Sequence, residues 1–89
     1  MFGGKEQELH LRLENRFAGV VIDRFGKEVP MRADGKDHFI ARVHVTVSGP
    51  FYGWLSGLGP GVRILSPESA AQDYQEFLQK LLKQYQTSG

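Results

Sequence analysis

The sequence predicts an α+β fold, in which one antiparallel sheet is covered on one side by two helices and a third helix is appended at the C-terminus. Three observations lead there. Residues 9–13 and 38–47 alternate apolar and polar side chains, as strands with one buried face do. A strand-helix-strand series precedes the turn signal Ala33-Asp34-Gly35-Lys36, and another follows it. The last third of the chain then carries a broad amphipathic helical pattern. With 89 residues, 40% of them apolar and 24% charged, the chain fits one small domain with a single core.

The first element places Leu9, Leu11 and Leu13 on one face and His10, Arg12 and Glu14 on the other. Asn15 is read as an N-cap, and Phe17, Val20, Val21 and Phe25 follow at helical spacing until Gly26 offers a stop. Glu28–Arg32 contains Pro30, which has no N–H to give a ladder, so it is expected at a sheet edge. The run His38–Val47 is the clearest strand: Phe39, Ala41, Val43, Val45 and Val47 face one way, His38, Ile40, Arg42, His44 and Thr46 the other.

Residues 43–62 contain no Asp, Glu, Lys or Arg, and glycines recur there at 49, 53, 57 and 61. A length of about 20 uncharged residues matches a bilayer span, but Pro50, Pro60, His44, Thr46 and Ser48 break the stretch, which excludes that reading. Ser48 and Pro50 instead open a helix with Phe51, Trp54, Leu55 and Leu58 inward and Tyr52 outward. Gly49, Gly53 and Gly57 would form a smooth strip for close helix packing. Val62–Leu65 is a brief edge strand. Ser66-Pro67-Glu68 repeats the cap-then-proline start of a long helix bearing Tyr74, Phe77, Leu78, Leu81, Leu82 and Tyr85 on one side. The order strand, helix, strand, strand, helix, strand is that of the ferredoxin-like βαββαβ sandwich, here with an additional C-terminal helix. His10, Arg12, Arg42, His44 and Thr46 then gather on the uncovered face of its two central strands.

Composition narrows the function. The absence of cysteine removes disulfide and thiolate chemistry and fits a reducing compartment, so a cytoplasmic location is expected. Eleven basic against ten acidic residues give +1 with no block of either sign, so no basic stripe calls for nucleic acid. The start MFGGKEQELH has no secretory pattern; residues 1–7 and 87–89 are read as tails around one domain, 8–86.

The run Trp54–Pro67, WLSGLGPGVRILSP, carries a family signal. Trp54, Leu55, Leu58, Gly59, Pro60, Val62, Ile64, Leu65, Pro67 and Tyr85 stand in an order that resembles the C-terminal extension (WCX) domain following the WYL domain of bacterial transcriptional regulators with a DeoR-like helix-turn-helix. The similarity spans residues 8–86. It implies a ferredoxin-like accessory domain that helps the regulator dimerise and transmits its effector response. It also implies DNA contact only through a helix-turn-helix domain outside these residues, with the other domains of the regulator as partners. No cofactor and no membrane are implied.

Arg12, Arg42, His44 and His10 form the one candidate ligand cluster, an anion patch whose forked guanidinium donors match phosphate oxygens. An alternative function follows from it: a sensing domain for a small anionic or nucleotide effector. The plainer reading is a solvated face on which the arginines pair with Glu8, Glu14 or Glu28. His10, His38 and His44 share a strand parity but show no metal-site spacing, so no metal is expected. Catalysis is not expected either. There is no nucleophile elbow, and Leu13–Phe17 has no glycine with which to cradle phosphate as acylphosphatases do. A nucleic-acid-binding sheet would display stacking aromatics, which these outward positions lack. Tyr74, Phe77, Leu81 and Tyr85 are the candidate dimer interface, since so wide an apolar face must be covered by sheet or by a second protomer.

Overall fold

A computed structural model describes residues 5–86. The chain runs β1 (Lys5–Glu14), α1 (Ala18–Phe25), β2 (Met31–Asp34), β3 (His38–Val47), α2 (Gly49–Ser56), β4 (Val62–Ser66) and α3 (Glu68–Lys83), with 3-10 turns at Asn15–Phe17 and Gly59–Gly61. The described residues form a four-stranded sheet in the order β2-β3-β1-β4, every neighbouring pair antiparallel. That is the predicted ferredoxin-like sandwich with an extra helix. β1 begins at Lys5, so residues 5–7, read from sequence as tail, extend the central strand and pair with Val45–Val47. The predicted tail at 87–89 lies outside the described residues.

Strand parity builds the core on one side of the sheet. Leu9, Leu11, Leu13, Phe39, Ala41, Val43, Val45 and Ile64 point inward, where Val21 of α1, Phe51, Tyr52 and Leu55 of α2 and Ala70 of α3 cover them. Burying a Leu or Phe side chain contributes roughly 1.5–3 kcal/mol, so this covered face carries the fold. The β2–β3 hairpin turns at residues 35–37, with Gly35 at φ 75°, a conformation open to glycine at little expense.

Several local expectations are corrected. Asn15 caps no helix; its Nδ2 donates to the Lys36 carbonyl at 2.8 Å and its backbone N–H to that of Asp37 at 3.1 Å, tying the end of β1 to the hairpin turn. Ser48 does cap α2, its hydroxyl accepting from the Phe51 N–H at 3.4 Å. Ser66 does not cap α3: the N-cap position falls on Pro67, and the Ser66 hydroxyl bonds His10 instead. The glycine strip packs against nothing: a Cβ at Gly49 or Gly53 would meet no atom within 4 Å. Close approach occurs at Gly61, where a Cβ would lie 2.7 Å from Phe17 and 2.9 Å from Glu14.

Tyr52 is the largest departure. It was expected outward, yet it is only 4% exposed while Trp54 is half-buried. The cause is α3, which lies beside α2 and brings Tyr74 and Phe77 to ring-centroid distances of 5.2 and 5.3 Å from Tyr52. The Tyr52 hydroxyl donates to Asp73 Oδ2 at 2.7 Å. Burial, the hydrogen bond and the neighbouring carboxylate together raise the pKa of this phenol far above its ordinary value, and burial raises that of Tyr74 too.

Candidate functional site

The uncovered face of the sheet is organised in transverse rows by the strand register. One row reads Arg32 on β2, Ile40 on β3, Arg12 on β1 and Arg63 on β4. The next reads Arg42 on β3, His10 on β1 and Ser66 on β4, with Pro30 just beyond β2 accepting the Arg42 N–H at 3.0 Å. That bond turns the backbone groups of Arg42 toward β2, so Arg42 and His10 form a non-hydrogen-bonded pair, the kind whose side chains stand closest. Acidic residues flank the two rows: Asp34 and Glu14 at one end, Glu8 at the other.

Arg12 reaches across β3 to Asp34, its Nε 2.6 Å from Oδ2. Ile40, between Arg12 and Arg32 in this row, is an outward-facing isoleucine only 9% exposed. Arg42 pairs loosely with Glu8 at 3.5 Å, and Glu14 is taken by Arg16 at 2.7 Å. Arg32 and Arg63 have no ion pair among the described residues. His10 is anchored through Nδ1 to the Ser66 hydroxyl at 2.9 Å.

The structure brings together three of the four residues predicted as an anion patch: His10, Arg12 and Arg42. His10 and Arg42, with Arg32, Ile40, Pro30 and Met31, line a depression of about 220 Å³. His44 has the right parity and stands opposite Glu8, but β2 ends before it. It lines instead a separate groove of about 750 Å³ against Phe25, Phe51 and Trp54, where Arg24 lies 4.9 Å over the Trp54 ring. Arg32 is absent from the predicted patch: its edge strand was expected over Glu28–Arg32 and forms instead over Met31–Asp34. The signal was available in parity: once Met31–Asp34 pairs with β3, Arg32 falls opposite Ile40.

The candidate interface on α3 divides. Tyr74 and Phe77 pack against the domain's own core, their rings tilted beside that of Tyr52. Leu81 is 47% exposed and Tyr85, just past the helix end, 88%. Leu78 and Leu82 are exposed beside them. The inner stripe of Ala70, Tyr74 and Phe77 runs on into Leu81 at helical spacing, but the rest of the domain stops short of it. Among the described residues no helix is long and apolar enough to cross a membrane, and no group of three or more His, Asp or Glu is placed to hold a metal ion.

The sequence model of the WCX domain matches residues 5–82. No curated protein and no solved structure matches the chain. The chain belongs to the WCX domain family, whose members occur in WYL-domain regulators.

Proposed function

We propose that this domain is a non-catalytic regulatory and oligomerisation module of a cytoplasmic bacterial transcriptional regulator. In this reading it helps two protomers meet and passes an effector signal to a helix-turn-helix domain carried elsewhere in the regulator. Membership of the WCX family supports the regulatory role. The observation that carries the oligomerisation role is the apolar cluster of Leu78, Leu81 and Leu82 at the far end of α3 with Tyr85 just past it. The near half of the same helix is fixed to the core through Ala70, Tyr74 and Phe77, so the far half is presented rigidly.

Positions 78, 81, 82 and 85 follow the spacing at which two helices form an apolar seam. Two turns of helix cover only part of the roughly 1,200–2,000 Å² that a stable complex buries. The seam on its own therefore supports a weak dimer, and neighbouring domains of the regulator complete the contact. Sedimentation of the 89-residue chain is expected to show a concentration-dependent dimer, and Leu81→Glu with Leu82→Glu to abolish it without loss of helical circular dichroism. A wild-type chain that stays monomeric at the highest concentration it tolerates would refute the dimer role.

A further inference from the structure

We propose that the depression between His10, Arg32 and Arg42 on the open sheet face binds a compact phosphomonoester, its phosphate on the two arginines and its body over Ile40. This inference stands apart from the dimer reading, since it concerns the opposite side of the sheet from the helices.

The charge arrangement argues for an anion. The two central rows hold four arginines and one histidine, with no carboxylate inside them. Arg12 is spent on Asp34, but Arg32 has no ion pair among the described residues and Arg42 has only the loose contact with Glu8. Arg12 and Arg63 also stand directly opposite each other, a like-charge pairing that disfavours the free sheet and that a nearby anion relieves. Arg32 and Arg42 are diagonal neighbours on adjacent strands, at a Cα separation of roughly 7–8 Å. Long guanidinium side chains at that spacing can converge on one phosphate and present forked donors to its oxygens. His10, held at Nδ1 by Ser66, has Nε2 left for a third contact.

The shape argues for a small ester over free phosphate or a polymer. Pro30, Met31 and Ile40 give the depression an apolar part of its lining, which free phosphate would leave unused. A volume of about 220 Å³ lies below the roughly 300–1,000 Å³ of sites that enclose drug-sized ligands, so it suits a phosphate and one ring. No Phe, Tyr or Trp stands in these rows, so single-stranded nucleic acid lacks there the large aromatic platforms on which its bases stack best.

Phenyl phosphate, inorganic phosphate, phenol and an oligothymidylate serve as probes, read by amide and arginine Nε–H chemical shifts of the 89-residue chain. Phenyl phosphate is expected to shift Arg32, Ile40, Arg42 and His10 together, and to bind at least several-fold tighter than inorganic phosphate, with phenol inert. Arg32→Gln and the double variant Arg32→Gln, Arg42→Gln should weaken it by about tenfold or more, since each removes a charge-assisted contact. Both side chains are exposed, so the fold is retained. The Leu81→Glu, Leu82→Glu variant should bind phenyl phosphate as the parent does, which separates this test from that of the dimer. Equal weak shifts with inorganic phosphate and phenyl phosphate, or none with either, would overturn the proposal. So would tighter binding of the oligothymidylate, which would make the face a nucleic-acid surface.

Discussion

The two faces of one sheet are built from the same strands and the same register, yet they are committed differently. On the covered face, leucines, valines and a phenylalanine meet three helices and leave nothing unpaired. On the open face, arginines and carboxylates form partly exposed ion pairs of little energetic weight, and at least two guanidiniums have no ion partner among the described residues. The lesson is a division of labour by parity. Odd positions of β1 and β3 build the core, and even positions build the open face.

The comparison breaks first if a covered-face residue proves dispensable. Leu11 is fully buried on the central strand, pairing with Ala41 on one side and Ile64 on the other. Leu11→Ala is expected to destabilise the domain by about 2–5 kcal/mol, read as a lower midpoint in urea unfolding. In so small a domain that is a large share of total stability, which runs roughly 0.05–0.15 kcal/mol per residue. A loss below about 1 kcal/mol would mean the sheet is held from its open side instead.

The next test sits where the covered face contains a polar group. Tyr52→Phe removes the bond to Asp73 and is expected to lose about 1 kcal/mol at neutral pH. Its pH dependence follows from the sign of the shift. Folding raises the phenol pKa, so at alkaline pH the folded state holds a proton that the unfolded chain has released. The stability Tyr52 contributes is complete below its ordinary pKa of 10.0 and declines as pH rises beyond it. Urea midpoints should therefore fall between about pH 9 and pH 11 in the parent, and fall less steeply in Tyr52→Phe. Tyr74, shifted in the same direction, keeps part of the slope. Identical slopes would place the Tyr52 hydroxyl in water.

What could be seen in the sequence divides along the same line. Alternation identified β1 and β3, and Ala33–Lys36 the hairpin, because these depend on neighbours a few residues away. Parity alone places His10, Arg12 and Arg42 on one face. The polar start of β1, Lys5–Gln7, carries no apolar alternation, and only pairing with Val45–Val47 makes it strand. Asn15 was misread because its partner is a carbonyl in the hairpin turn, 21 positions on. Tyr52 was misread because its burial depends on where α3 docks, and a helix appended to the βαββαβ unit has no position dictated by local pattern. His44 shares the predicted parity, but the shortness of β2 leaves it at an edge.

The smallest expected effect is the sharpest probe of the open face. Asp34→Asn removes the partner of Arg12, an ion pair whose side chains are 41% and 37% exposed. Solvent screens such a pair, so the stability change should stay within roughly 0.2–1 kcal/mol. Its effect on binding should have the opposite sign. Removing one negative charge frees the Arg12 guanidinium beside Ile40, so the variant should hold phenyl phosphate more tightly than the parent and with a steeper dependence on salt. Parallel urea unfolding and phenyl phosphate titration measure both quantities on one sample. A loss of more than about 2 kcal/mol would show that the Arg12–Asp34 pair fastens β2 to the sheet. The open face would then be part of what holds the domain together, and the division by parity would fail at this row.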